Sequence, residues 1–463
     1  MAKSTIVEKN VPIEEHPYIL PDGWEWRRLG SLIENHDNKR VPISQKERQK
    51  RSGEYPYYGA SGIIDYIDGY THDGRFLLIS EDGANLLARS KPIAFLASGK
   101  IWVNNHAHVV KFETDLLDEF FCYYLNNTDL SRYISGTAQP KLTQKKLVTI
   151  PVPYCLDTEK QKDIVSKIKS MLGKINEARE LISEARESFQ NRRAAILAKA
   201  FRGELTAKWR EQNRDVESGF QLINFIAEDK KNRKIKSAKS TKDFSHLSDY
   251  EHQIPSTWSW SKLSEVNDII TDGDHQSPPK ADKGIPFLVI SNISKGTLDF
   301  SNTRFVPESY YNNLTEYRKP RDKDILYTVV GSYGIPVHLQ NIQKTFCFQR
   351  HIALIRPNKM ISSEYIYYAL CTSNIFQQAT EVATGTAQLT VPLAGLREIR
   401  LPIPSREEQK QIVILLKKYL KSEETALKQF LNIIDLETLE KSILSQAFRG
   451  QLTSNLSQGA PTD

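Results

Sequence analysis

The chain carries much of its own sequence twice, and a duplicated sequence implies a duplicated structure. Pro21-Asp22-Gly23-Trp24-Glu25-Trp26 is echoed by Pro255-Ser256-Thr257-Trp258-Ser259-Trp260. Gly136-Thr137-Ala138-Gln139 returns as Gly385-Thr386-Ala387-Gln388, and Ile150-Pro151-Val152-Pro153 as Leu401-Pro402-Ile403-Pro404. Glu159-Lys160-Gln161-Lys162-Asp163-Ile164-Val165 returns as Glu407-Glu408-Gln409-Lys410-Gln411-Ile412-Val413, and Ala200-Phe201-Arg202-Gly203-Glu204-Leu205-Thr206 as Ala447-Phe448-Arg449-Gly450-Gln451-Leu452-Thr453. The copies are offset by 234 residues at the Trp motif, 249 at Gly-Thr-Ala-Gln and 247 at Ala-Phe-Arg-Gly. The second copy therefore holds about 15 additional residues between its first two landmarks. In that middle the copies share little: neither Tyr57-Tyr58-Gly59-Ala60-Ser61-Gly62 nor Thr271-Asp272-Gly273-Asp274-His275-Gln276 has a clear counterpart.

Each middle region reads as strands broken by Gly, Pro, Asn and Asp, as in Phe76–Ser80, His108–Phe112, Pro286–Ile290 and Ile352–Arg356. A helix is expected after the last strand, at Asp118–Asn126 and Ser363–Leu370, giving an α+β globule twice. Behind the first globule, Ile164, Ile168, Met171, Ile175, Ala178, Ile182, Ala185 and Phe189 alternate steps of four and three, a heptad seam. Asp157 or Thr158 would cap this helix and Gly203 stop it. The second seam runs Ile412, Leu416, Tyr419, Ala426, Phe430, Ile433, Leu436, Ile443 and Leu444, interrupted by Glu423. Each helix needs a partner to bury its seam, and the other copy is the nearest, so an antiparallel coiled coil with an internal pseudo-two-fold is expected. Between the copies, Lys230-Lys231-Asn232-Arg233-Lys234-Ile235-Lys236 reads as part of a flexible basic linker.

At 463 residues the chain has room for two to four structural units, and its formal charge of +7 suits a polyanionic partner. Cys122, Cys155, Cys347 and Cys371 form no C-x-x-C pair, so a reduced, cytoplasmic protein is expected, with neither zinc nor disulfides. Met1–His16 lacks the apolar core of a secretion signal and no window suits a membrane span. His106-Ala107-His108 has no acidic or Cys partner close in sequence, so metal is not expected.

Symmetric DNA-binding dimers read palindromes because identical modules meet the groove at a fixed spacing. A chain with pseudo-symmetry but unlike modules would read two different short sequences around an unread gap. The ordered set Pro-x-x-Trp, Tyr-Gly-Ala-Ser-Gly, Gly-Thr-Ala-Gln, Ile-Pro-x-Pro with Glu-x-Gln-x-x-Ile-Val, and Ala-Phe-Arg-Gly-x-Leu-Thr resembles the DNA-specificity subunits of type I restriction-modification systems. So does Arg321-Asp322-Lys323-Asp324-Ile325-Leu326 leading to Gly331-Ser332-Tyr333-Gly334. The likeness covers residues 17 to 207 and 251 to 453. It implies target-recognition domains at 1–156 and 251–404, conserved long helices at 157–207 and 405–453, a linker at 208–250 and a tail at 454–463. It also implies a non-catalytic subunit that binds double-stranded DNA and recruits two methyltransferase subunits, which use S-adenosylmethionine to methylate adenine. Restriction subunits using ATP and Mg would join them in a bacterial or archaeal cytoplasm. The chain agrees: it has no Asn-Pro-Pro-Tyr or Asp-Pro-Pro-Tyr, no G-x-G-x-x-G and no phosphate loop of its own.

Base reading needs Arg, Lys, Asn, Gln, Ser or Thr at the groove edge. Candidates in the first globule are Lys46, Arg48, Lys50, Arg51, Tyr57, Tyr58, Ser61, Arg89, Asn104, Asn105, His106, Gln139 and Lys141. In the second they are His275, Gln276, Lys280, Ser291, Asn292, Ser332, Tyr333, Gln349, Arg350, Gln388 and Thr390. The tryptophans are assigned to core packing. Gly-Thr-Ala-Gln is either a DNA-contacting loop or a turn. The competing reading is a coiled-coil scaffold joining two protein-binding domains, which sequence-specific, salt-dependent duplex binding would exclude.

Overall fold

The computed structural model describes residues 9–136, 138–235, 242–274, 278–432 and 435–452. His275, Gln276, Ile433, residues 236–241, the tail 454–463 and the side chain of Phe430 lie outside the described residues. The chain forms two compact units, one from residues 9–183 with 435–452 and one from residues 184–432.

In the first unit, β1 (Trp24–Arg28) pairs with β8 (Pro151–Cys155). A six-stranded sheet follows the order β2-β7-β5-β6-β3-β4, with β2 (Ile33–Asn35), β3 (Ser52–Gly59), β4 (Gly62–Ile67), β5 (His72–Ser80), β6 (Ala94–Val103) and β7 (Ala107–Phe112). All neighbours are antiparallel except β3 and β6. Leu77, Leu78 and Ile79 of β5 are buried on both faces, as a central strand requires. Gly74 and Gly99, paired mid-ladder at φ 135° and 82°, mark a bend in β5 and β6 that a residue with a Cβ would resist. The helix Asp115–Asn127, capped by Thr114, buries Leu117, Phe120, Phe121, Tyr124 and Leu125, one face at helical spacing.

The second unit repeats this plan. β9 (Ser259–Lys262) pairs with β17 (Arg400–Ile403). The large sheet is split into β10-β16-β13-β14 and β12-β11-β15. These are β10 (Asn267–Asp272), β11 (Ile285–Leu288), β12 (Arg304–Val306), β13 (Ile325–Thr328), β14 (Pro336–His338), β15 (Cys347–Phe348) and β16 (Ile352–Pro357). The parallel pairing Tyr57↔Trp102 and Tyr58↔Val103 has its counterpart in Phe287↔Cys347 and Leu288↔Phe348. The Tyr57-Tyr58 segment thus has a structural twin at Phe287-Leu288, which the sequences hid because only burial, not identity, is kept. The additional length lies between β11 and β13, where residues 289–324 take the place of 59–76 with β12, the helix Glu308–Asn313 and two 3-10 turns. Ile290, expected as strand, begins the first of those turns. Within Arg321–Leu326, Asp324 is buried and accepts Arg356 through both oxygens at 2.8 and 2.7 Å.

The long helix Thr158–Phe201 contributes its first part to one unit and its last part to the other. Asp157 caps it, its Oδ1 accepting Glu159 N at 2.9 Å. In the first unit Ile164, Val165 and Ile168 share a core with Leu444, Ala447 and Phe448, and Arg179 pairs with Glu440. In the second, Leu197, Ala200 and Phe201 share a core with Ile412, Val413 and Leu416, and Arg192 meets Glu423 at 2.8 Å. Rising numbers meet falling numbers in each unit, so the helices run antiparallel there. Along the first seam Ile164, Ile168 and Ile175 are buried and Met171, Ile182 and Phe189 half-buried.

Three expectations are corrected. Tyr419 is 41% exposed and Leu420 takes the buried place, because Ile412, Leu416 and Leu420 keep successive steps of four. The second long helix is two helices, Arg406–Asn432 and Leu436–Phe448, the latter capped by Asp435, whose side chain accepts Thr438 N. The stretch 208–250 is not a simple linker: Gly219–Asn232 is a helix with a Ser218/Gln221 capping box, and it buries Leu222 and Ile226 in the core of the second unit.

The repeated motifs are docking partners. After Phe201, Gly203 N donates to Ala200 O and Glu204 N to Lys199 O, and Gly450 and Gln451 repeat both bonds to Ala447 and Gln446. Both are Schellman ends with glycine at positive φ. A Cβ on Gly203 would strike Pro255, and one on Gly450 would strike Pro21, each 2.5 Å away. Trp26 and Trp258 are buried; Trp26 Nε1 donates to Tyr18 O at 3.0 Å, and Trp260 Nε1 to His252 O at 3.3 Å. Trp26 and Trp258 serve the core, Trp24 packs against it, and Trp260 is half-buried.

Candidate nucleic-acid interface

In the first unit four loops gather around the end of β5. Ser80 Oγ donates to Ala60 O in the β3–β4 turn. Glu81 N donates to His106 O at 2.9 Å, joining β5 to the turn between β6 and β7. Gly83 N donates to Pro140 O at 3.0 Å and Leu142 N to Glu81 O at 2.7 Å, adding the loop that closes between Ser135 and Lys141. Asn104 N donates to Tyr58 O at 3.1 Å.

The second unit keeps this register around the end of β13. Val329 N donates to His351 O at 3.0 Å, Gly331 N to Leu389 O at 2.9 Å, Val391 N to Val329 O at 2.8 Å and Gln349 N to Leu288 O at 3.0 Å. The Gly-Thr-Ala-Gln segments are matching tight turns: Ser135 pairs with Lys141 and Thr384 with Thr390 through backbone bonds in both directions. Gly136 and Gly385 sit at φ 86° and 108°, and in each a Cβ would lie 2.5 Å from the carbonyl oxygen of the following glutamine. Being a turn does not exclude contact, because Gln139 and Gln388 are exposed at the crest.

This arrangement sorts the candidates. Ser61, Asn105, His106, Gln139 and Lys141 are exposed on the first set of loops, and Ser291, Ser332, Arg350 and Gln388 on the second, with Gln349 and Thr390 half-buried among them. Asn105 and Arg350 occupy corresponding places. His106 Nδ1 faces Asp82 at 2.8 Å. Tyr58 stacks on Phe95, and Tyr333 stacks on Phe376 while its hydroxyl donates to Thr380 Oγ1 at 3.0 Å, so both rings are fixed.

Other candidates have structural duties. Tyr57 is 1% exposed, and its hydroxyl accepts Ile43 N at 3.0 Å. Arg89, in a left-handed conformation, donates to the carbonyls of Leu125 and Thr128 at the end of a helix. Asn104 is buried, with Oδ1 accepting His106 N, and Asn292 is buried between Val289 N and Asp299 O. Arg48 is held by Asp65 at 2.9 Å and Arg51 by Asp68 at 2.7 Å, while Lys46, Lys50 and Lys280 are exposed. Of the basic run, Lys230 is buried with Nζ donating to Ser264 O and Asn267 O, each at 2.7 Å.

The two histidines do have acidic neighbours, which sequence separation concealed. Asp37, Glu81 and His108 bring three ligand-type atoms together, yet His108 Nδ1 faces Asp37 Oδ2 at 2.7 Å and Nε2 faces Leu142 O at 2.8 Å. Both ring nitrogens are thus committed to acceptors, and Arg40 and Lys141 cover Glu81 at 2.6 and 3.1 Å. His351, unremarked in the sequence, takes the place of His106; burial holds its pKa below the ordinary value. Aligning the copies at an offset of 245 would have paired these two histidines.

A family model described as the type I restriction modification DNA specificity domain matches residues 21–184 and 255–434. The specificity subunit of the type I restriction enzyme EcoDI from Escherichia coli is 22% identical over 94% of this chain and 90% of its own length. That of MjaVIII from Methanocaldococcus jannaschii is 21% identical over 94% and 92%. S.HindORF215P of Haemophilus influenzae is 42% identical over 129 residues, a match that spans 28% of this chain and 32% of that protein. In structure, a chain from work on complex assembly and conformational transition of the type I R-M system superposes with a TM-score of 0.60, at 18% identity over 94% of this chain and all of its own.

Proposed function

From the premise that this chain belongs to the type I restriction modification DNA specificity family, we propose that each unit reads one half of a two-part DNA target through the loops around β5 and β13. Specificity subunits of this family are non-catalytic, and DNA sequence specificity is their role. The observation that carries the loop assignment is that one backbone register, repeated bond for bond, keeps a histidine (His106, His351) and a glutamine (Gln139, Gln388) in both units but changes the side chains beside them, Asn105 and Lys141 in one unit against Arg350 and Thr390 in the other. A constant scaffold with variable polar tips is what two different half-sites require. Arg350 suits guanine, Asn105 and the glutamines adenine, and Lys141 a phosphate or guanine.

The chemistry falls to partners: two methyltransferase subunits using S-adenosylmethionine, with restriction subunits using ATP and Mg, in a bacterial or archaeal cytoplasm. Among the described residues no helix is long and apolar enough to cross a membrane. Gel-shift competition against scrambled duplex over a salt series tests the reading. Specific binding with a steep salt slope is expected; equal affinity for scrambled DNA would sink it.

A further inference from the structure

The two units hold the same loop on different chemistry. In the first, Asp37 Oδ1 accepts Val109 N at 2.7 Å and Oδ2 faces His108 Nδ1. His108, fully buried, reaches Leu142 O at the root of the 135–141 loop. Arg40 lies between the acids, 3.3 Å from Asp37 and 2.6 Å from Glu81, and also donates to Ala107 O at 2.8 Å. Glu81 then presents its other oxygen to the Lys141 ammonium at 3.1 Å. Of the five side chains only Lys141 is substantially exposed, at 47%.

In the second unit Val329 stands where Glu81 does, Ala353 where His108 does, Val391 for Leu142 and Thr390 for Lys141. Val329, Ala353 and Val391 are buried and apolar. Asp272 occupies the place of Asp37, and the charges near it include Arg397 and, at 3.7 Å, Arg318 from the longer segment of the second unit.

We propose that Asp37, Arg40, His108 and Glu81 form a positioning network that sets the 135–141 loop, and with it the direction of Lys141, so that base selection by the first unit runs through buried charge whereas the second unit uses apolar packing. The proposal rests on the loops being the reading surface. Charge-assisted bonds out of water fix direction as well as distance, which is what a lysine selecting one contact needs. Burial pushes the Asp37 carboxyl up, but the bond and charge of His108, the Val109 N–H and Arg40 outweigh it and hold its pKa below the ordinary value.

The test uses the full chain assembled with its modification subunits, on duplexes carrying single base changes in either half-site. Asp37→Asn and His108→Leu are expected to lower discrimination in one half by roughly tenfold, within what one mismatched pair is worth, leaving the other half and non-specific affinity unchanged when measured well below the melting transition, which the lost buried charge lowers. His108→Gln, whose amide can still donate to Leu142 O, should restore part of the loss. Lys141→Gln, at an exposed position that does not threaten folding, should reproduce the loss in the same half. Unaltered discrimination in all variants, or a loss of affinity for every sequence alike, would overturn the positioning role. A wild-type complex that discriminates no sequence would overturn the DNA reading itself.

Discussion

Single residues explain why the repeats are repeated. Gln161 and Gln409 are buried, with Nε2 donating to Cys155 O at 2.6 Å and Pro404 O at 3.2 Å, so each ties the start of a long helix to the strand before it. Such duties were legible, since identical residues in both copies point to shared structure. The base-facing candidates were only partly legible: Tyr57, Arg89 and Asn292 have polar tips suited to reading, and only coordinates show those tips occupied. Gly385→Ala should cost about 1–3 kcal/mol of local strain and impair one half-site, seen as weaker discrimination there with the other half intact. Glu408 is buried and accepts Trp258 Nε1 at 2.9 Å and Thr206 Oγ1 at 2.7 Å while pairing with Arg210. Glu408→Ala strands Arg210 and should destabilise the second unit by about 3–5 kcal/mol, measured by calorimetry. Acid should weaken the first unit: the Glu81 carboxyl, pushed up by burial, is held low overall by Arg40, His108 and Lys141, as Asp37 is by its own partners. Carboxyls depressed in the fold contribute fully above the ordinary carboxylate range and lose that contribution as pH falls through their lowered values. Melting temperature should therefore drop below about pH 4, less steeply in Asp37→Asn.

Among the elements, the first long helix was readable to within a residue or two, because its heptad steps, Asp157 cap and Gly203 stop agree. The second was harder. Its seam residues resume after Asp435, whose non-helical backbone caps a new helix, and a periodic pattern cannot reveal such a cap. Gly219–Asn232 escaped notice because the lysines of its last turn looked like linker, although the Ser218-x-x-Gln221 box was there to be found. Phe448 packs edge-on against Phe120 and Tyr124, with centroids 5.3 and 5.2 Å away. Phe448→Ala should remove about 3–5 kcal/mol from the first unit, though it lies near the other terminus. Hydrogen exchange should show faster opening in β5 and in Asp115–Asn127, with the second unit's rates unchanged.

For the molecule as a whole, duplication was legible from motif order, and the doubled plan followed from it. The crossing of segments followed from the antiparallel pairing the seams imply; what was not legible is the contact itself, one copy's Ala-Phe-Arg-Gly turn closing on the other copy's Pro-x-x-Trp. Exchanging residues 21–150 for those of another family member should change one half of the methylated target and leave the other, read by sequencing modified adenines; altered reading of both halves would contradict modular recognition.

The Leu436–Phe448 helix packs into the first unit's core, which has a bearing on how the protein is made. At about 5–20 residues per second of synthesis, Phe120 waits roughly 15–65 s for Phe448, its ring partner, to be polymerised, and longer for it to clear the ribosome. The first module to be translated is therefore the last to be sealed. A product cut short by a premature stop would carry an unfinished first module, so loss of the last helix is felt at the other end of the sequence.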